Sequence, residues 1–479
     1  MHLKEVLALK KRFIAVLSFV FMFALVLFGC NSIRLSGGPN ANDTVYGNGG
    51  SAVVKGDYLY FANAFLDYST LGHNDNIYDA GSKYTIYGIY RTKLNSNGKV
   101  DVDSDGVPTK ADLLTYNVGG YEYSGLYIFG NYLYYTTPYT NTTSSNEKKT
   151  GRVRVERVAL DGTSHEVVYK FEDYTSDCKY NMVYIDGKVY IVYFTKDKDI
   201  KLITVDARKN VKESTIASSV ESYAVFKQED IEKDNNVEDI NKYVYYVVKE
   251  NDSDYVIYRK NLLTKEEETF YRGSTSEIVL KEVKNNLVYY TENNHLYSRF
   301  DSNTYSDYSL PTTSSDEDTG YISSYLTLDA GLSDKGLIAV LQSNSKYYVN
   351  YYNGKTCTEI ELSNDKSKSI TLVATKNNFF LYQIADDTSL YRCDIEFDYS
   401  SGRYSIAETS ISTIATSFSS SVGEDSETTM LDYDNDRIYV YKQVNDSTIC
   451  YLTMYMTRLD NVYTNDSEEI VGQYIGNLK

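Results

Sequence analysis

Apolar and polar positions alternate with a period of two along most of this chain, in short runs broken by small polar turns. Residues 51–61 open the series: an apolar run, the pair Gly56 and Asp57, then a run carrying Tyr58 and Tyr60. Residues 126–135 repeat the pattern about Gly130 and Asn131, and residues 183–193 repeat it about Asp186 and Gly187. Such pairs predict hairpins, because glycine, asparagine and aspartate accept the positive φ that two-residue turns need. Further copies run over 243–248, 283–290, 332–341, 373–382 and 431–441. A second strand pair follows each hairpin, starting with runs at 87–94, 152–160, 200–205 and 256–262 and continuing with 295–300, 346–352, 390–396 and 449–456. A four-stranded unit alone leaves its faces uncovered, so neighbours must pack on each other. Blades of about 40 to 50 residues are the closest known unit. The pattern predicts an all-β β-propeller over 51–479 with eight four-stranded blades. Seven is the alternative, since the fourth and sixth units are the weakest.

The first fifty residues follow different rules. Lys4, Lys10, Lys11 and Arg12 precede an apolar stretch over 13–27, diluted by Ser18 alone and ending in Leu27, Phe28, Gly29 and Cys30. That is the layout of a secretory signal, and it falls short of the roughly 18 to 20 apolar residues that span a bilayer. The Gly29–Cys30 end resembles the lipobox of bacterial lipoproteins. The resemblance implies a signal peptide over 1–29, a covalent diacylglycerol on Cys30, and a chain held on the extracytoplasmic face of the cell membrane by lipid. Residues 30–50, with Ser36, Gly37, Gly38, Pro39 and a Gly-rich run over 47–50, are expected as a flexible tether.

Charge narrows the partners. The 479 residues carry a net −18, and the segment before Cys30 is itself basic, so the remainder is more acidic still. Such a chain repels phosphate backbones, which excludes nucleic acid as a natural partner. The 51 Tyr residues against 4 Pro suit many strands with aromatic faces. Cys178, Cys357, Cys393 and Cys450 are widely spaced with no CxxC pair, and free thiols are expected rather than a metal cluster.

Leu133, Tyr134, Tyr135 and Thr136, and again Val288, Tyr289, Tyr290 and Thr291, resemble the strand motif of YWTD-type propellers of lipoprotein-receptor ectodomains. Residues 155–163 resemble the strand and turn that follow it, and Ile257-Tyr258-Arg259 and Leu390-Tyr391-Arg392 look like weaker copies. The tryptophan of that motif is absent here, and its aspartate is Thr137 in one copy and Glu292 in the other. The resemblance implies a propeller on a bacterial surface lipoprotein.

One acidic constellation stands out. Asp101, Asp103, Asp105, Gly106 and Asp112 occupy positions 1, 3, 5, 6 and 12 of an EF-hand-like order. Ca²⁺ would take oxygens from Asp101, Asp103, Asp105, the Val107 carbonyl, Thr109 and Asp112. The alternative is an acidic hairpin loop. His73, His165 and His295 are scattered, and HExxH, GxSxG and P-loop patterns are missing. Two functions remain: a membrane-anchored binding or scaffold module for a protein, peptide or glycan, or an extracellular polysaccharide-active enzyme with acids in the propeller funnel.

Overall fold

In the computed structural model the described residues are 34–49, 52–63, 88–96, 111–115, 125–138, 153–171, 179–226, 242–251, 253–273, 276–284, 287–300, 303–311, 320–327, 336–353, 356–362, 365–376, 379–386, 390–398, 403–411, 429–433, 437–446, 449–458 and 468–470. Every regular element among them is a strand. The strands form eight antiparallel sheets, each from one uninterrupted stretch of chain and each in sequence order. Seven have four strands; the first has five, because β1 (Val45–Tyr46) is added outside β2 (Ala52–Lys55).

The sheets are blades of a propeller. The first strands of neighbouring sheets touch: β2 meets β6 (Tyr127–Phe129), β14 (Val220–Val225) meets β18 (Ile278–Lys284), and β22 (Tyr321–Thr327) meets β26 (Ile370–Lys376). These strands therefore stand on the axis side of their blades, and in the first blade β1, on the free edge of β2, lies further in still. Apolar clusters fill the spaces between blades. Val53 and Tyr60 of blade 1 pack with Leu133, Tyr135 and Val158 of blade 2, and Val155 and Phe171 of blade 2 pack with Ile191 and Ile203 of blade 3. At about 25 cal/mol per Å² of apolar surface, these blade-to-blade faces are the main source of stability.

The turns give the ring two ends. One end carries the turns after the first and third strand of each blade, and is called here the odd end. The even end carries the turns after the second strand and the connections between blades. At the odd end, Asp186 and Gly187 both have positive φ, 50° and 76°, the signature of a type I′ hairpin.

Among the described residues, closure involves no exchange of strands. The sequence places a C-terminal strand near 470–475 beside the first blade. β33 (Glu468–Ile470) completes the last blade by pairing with β32 (Ile449–Arg458), and β32 lies against β3 (Tyr58–Asn63) of the first. Residues beyond 470 lie outside the described set.

The expected tether also differs. Residues 1–33, with Cys30, lie outside the described residues, but 34–49 are docked on blades 1 and 2. Leu35 N–H donates to the Asp161 carbonyl at 2.9 Å. The buried Arg91 guanidinium donates to the carbonyls of Ser36, Gly37 and Leu160 at 2.7, 3.0 and 3.1 Å. Lys55 Nζ donates to the Ala41 and Gly130 carbonyls at 3.1 and 2.5 Å. The Asn48 carboxamide accepts from Ile128 N–H at 2.6 Å and donates to the Ile128 carbonyl at 3.4 Å. The reason is polar satisfaction: buried Arg91, Lys55 and Asn48 need partners, and backbone from this segment supplies several of them. A Cβ on Gly125 would come within 1.8 Å of the Gly49 carbonyl oxygen, so the approach requires glycine there.

Candidate functional site

Two arrangements carry chemistry. The first is on the axis side of blades 4 to 7. Each of their first strands contains a β-bulge, which leaves Glu221, Lys281, Ser323 and Val373 opposite no single partner. Bulges re-aim side chains and are enriched next to functional sites. Glu221, Lys281 and Ser323 are exposed, whereas Val373 is buried. Lys198, from the even-end turn of blade 3, approaches Glu221 at 2.6 Å. Ser222, next to a bulge, accepts from Leu280 N–H of the neighbouring blade at 3.0 Å, tying two bulged strands together. The result is a row of acid, base and hydroxyl on successive blades.

The second lies inside blade 2, on β7 (Tyr132–Pro138), β8 (Val153–Ala159) and β9 (His165–Lys170). Glu156 is completely buried and sits opposite Tyr135 in register. Tyr135 OH donates to Glu156 Oε2 at 2.7 Å, and His165 Nε2 lies 2.6 Å from the same oxygen and 2.8 Å from the tyrosine hydroxyl. Arg154 forms an ion pair with the other carboxylate oxygen. Burial pushes the Glu156 carboxyl up, but the hydrogen bonds from His165 and Tyr135 and the nearby positive charges outweigh it and hold its pKa below the ordinary value. The carboxylate is thus kept ionised at neutral pH. It stands on the third strand, two strands out from the axis edge, and is no funnel acid.

Around these, arginines recur on the third strands. Arg91, Arg157, Arg259 and Arg392 each lie over an aromatic ring that begins the second strand: Tyr58, Tyr132, Tyr243 and Phe379, at 5.2, 4.4, 4.8 and 3.9 Å. In blades 1, 2 and 4 the arginine sits opposite an acid of the fourth strand, namely Asp112, Glu166 and Glu268. Arg299 of blade 5 lies 3.7 Å over Tyr271 of blade 4 and donates to Tyr290 OH at 2.5 Å. These are clamps within and between blades, and they hold the scaffold.

Of the expected calcium loop, Asp101, Asp103, Asp105, Val107 and Thr109 lie outside the described residues. Asp112 begins β5 (Asp112–Thr115), half exposed, with an oxygen 3.5 Å from Arg91 Nε. It would have to share its carboxylate between that guanidinium and an ion. Among the described residues no cluster of three or more His, Cys, Asp or Glu is arranged for a metal. Cys393 is buried and Cys357 is an exposed free thiol. His165 looked isolated in the sequence. The signal for its role was Glu156, an acid at an inward position of an alternating strand, two residues from Arg154.

No family model matches the chain, and no curated protein is similar to it in sequence. Among solved structures it is similar to one from a study of two prolyl endopeptidases, with 8% identity, TM-score 0.41, and 87% of this chain matched to 55% of that one. A post-proline cleaving enzyme from Rickettsia typhi gives 8% identity and TM-score 0.40, over 86% of this chain and 57% of that chain. The β-propeller domain of the trilobed protease from Pyrococcus furiosus gives 10% identity and TM-score 0.39, over 74% and 98%. The chain spans a little over half the length of the first two. The class assigned here, an all-β propeller, rests on the sheet order described above.

Proposed function

We propose that this chain is a binding or scaffold module, a YWTD-like propeller lipoprotein held on the extracytoplasmic face of the cell membrane by a diacylglyceryl group on Cys30, and that it takes a protein, peptide or glycan at the axis. The observation that supports it is the row of bulges in blades 4 to 7, which turns Glu221, Lys281 and Ser323 toward solvent on axis-side strands. Strand edges with re-aimed polar side chains suit an extended ligand, read by backbone pairing and by side-chain contacts. Ca²⁺ in the loop over Asp101, Asp103, Asp105, Val107, Thr109 and Asp112 would add local rigidity, and a rise in melting temperature in millimolar Ca²⁺ tests that part.

The test of binding is a screen of glycan and peptide arrays with the purified full-length protein. A retained ligand should be lost in the Glu221→Ala/Lys281→Ala pair while the melting temperature holds. Exposed Glu221 beside Lys198 also favours the second reading, a polysaccharide-active enzyme. Release of shortened glycan by the wild type, lost in Glu221→Gln, would select that reading instead.

A further inference from the structure

We propose that the odd end of the ring is a membrane-contact face, laid on the lipid headgroup region, so that the even end points away from the bilayer. This rests on the lipid-anchor reading above. Two independent observations carry it. The first is where the docked segment emerges. Leu35 bonds to Asp161 in the turn between the third and fourth strands of blade 2, at the odd end. Four residues, and so five Cα-to-Cα steps, separate it from Cys30. At about 3.4 Å per step they reach about 17 Å. A seven-residue strand such as β10 (Lys179–Ile185) spans about 23 Å. The lipid attachment point is therefore tied closer to the odd end than to the even end.

The second is where large apolar side chains meet solvent. Five do so among the described residues: Tyr46 at 41%, Tyr184 at 39%, Val211 at 37%, Phe300 at 47% and Tyr305 at 49% exposure. All five lie at the odd end. Tyr46 pairs with Val54 beside the first turn of blade 1, and Tyr184 precedes the Asp186–Gly187 turn of blade 3. Val211 begins β13 (Val211–Ala217), directly after a third-strand turn. Phe300 and Tyr305 flank the corresponding turn of blade 5. They come from blades 1, 3 and 5, so they mark an end of the ring rather than one side of its rim. Tyrosine is favoured at the headgroup level, where the ring is shielded and the hydroxyl stays wet. Lys188, Arg208 and Lys209 stand exposed around Tyr184 and Val211, beside Asp186 and Asp206, so the tip of blade 3 carries a small positive excess on an acidic chain.

The chain contains no tryptophan, so one introduced Trp reports without background. The lipidated full-length protein is placed in phosphatidylcholine vesicles with or without brominated phosphatidylcholine. Tyr184→Trp and Phe300→Trp should lose emission to the brominated lipid, and Asp197→Trp, in the even-end turn of blade 3, should keep it. Emission lost from Asp197→Trp alone, or from none of the three while the protein floats with the vesicles, overturns the orientation and leaves the anchor standing. Protein that does not float, with no diacylglyceryl mass on Cys30, overturns the anchor and the orientation together.

Discussion

Blades 2 and 3 are neighbours built on one register, and they fill it with opposite chemistry. In blade 2, Tyr134 pairs with Arg157 and then Glu166; in blade 3 the same positions hold Tyr190, Thr204 and Lys212. One step along, Tyr135 and the buried Glu156 of blade 2 correspond to Ile191 and Ile203 of blade 3. Glu156, Tyr135, Ile191 and Ile203 are all fully buried. A polar cluster and an apolar pair thus occupy equivalent places, so the fold does not demand charge there. Replacing buried ion pairs by well-packed apolar residues is often neutral or stabilising. The polar cluster of blade 2 is therefore a departure that the architecture tolerates.

The comparison can be broken most severely at Glu156. Glu156→Ala leaves Arg154 and His165 without their shared carboxylate and should cost about 3–5 kcal/mol, read by denaturant melting. Glu156→Leu with Arg154→Met, which copies the apolar solution of blade 3, should recover most of that loss. A double variant as unstable as Glu156→Ala would show that blade 2 needs its charges.

Arg157→Met comes next, at about 1–2 kcal/mol. It removes the contact 4.4 Å over Tyr132 and the ion pair with Glu166 at 2.7 Å, and Glu166 is a third exposed, so solvent screens part of the loss. Ile203→Val in blade 3 should cost about 0.5–1.5 kcal/mol, a packing loss alone. Its effect should not change with pH.

Acid sharpens the contrast. A carboxyl held below its ordinary value contributes stability above its unfolded pKa and loses it as pH falls through its folded pKa. Glu156 is such a group, with 4.5 as its ordinary value. Below about pH 4.5, amide protection should therefore fall in β7 to β9 before it falls in β11 (Lys188–Phe194) and β12 (Ile200–Asp206). Simultaneous loss in both blades would refute this. The smallest expected effect is a graft: Thr204→Arg with Lys212→Glu should change stability by no more than about 1 kcal/mol, since the new pair is near solvent.

How much of this was legible in the sequence follows from the range of the interactions. Hairpins were legible because Gly56, Gly130, Asp186 and Gly187 advertise positive φ locally, and their φ values are 55°, 60°, 50° and 76°. Alternation then fixed which residues face a neighbour. The clamps were hidden, because Arg157 meets Glu166 through register across two strands and not through spacing. The docking of 36–49 was hidden for another reason. Its Gly-rich composition speaks for flexibility, while its partners, Arg91 and Lys55, are ordinary surface-type residues in the sequence. Their burial, each 1% exposed, is a tertiary fact. The bulges at Glu221, Lys281, Ser323 and Val373 left no mark on the alternation strong enough to notice.

Closure without strand exchange has a consequence for how such a ring is inherited. Among the described residues every blade is written as one unbroken stretch of chain, and the last blade meets the first through β32 and β3. Duplicating or deleting one stretch between blade boundaries therefore adds or removes a whole blade and leaves no sheet with an unpaired half. The boundary between blades 1 and 2 resists, because residues 45–49 are bonded to both β2 and β6. Growth or shrinkage of the ring is thus easiest among the later blades, with the first pair passed on as a unit.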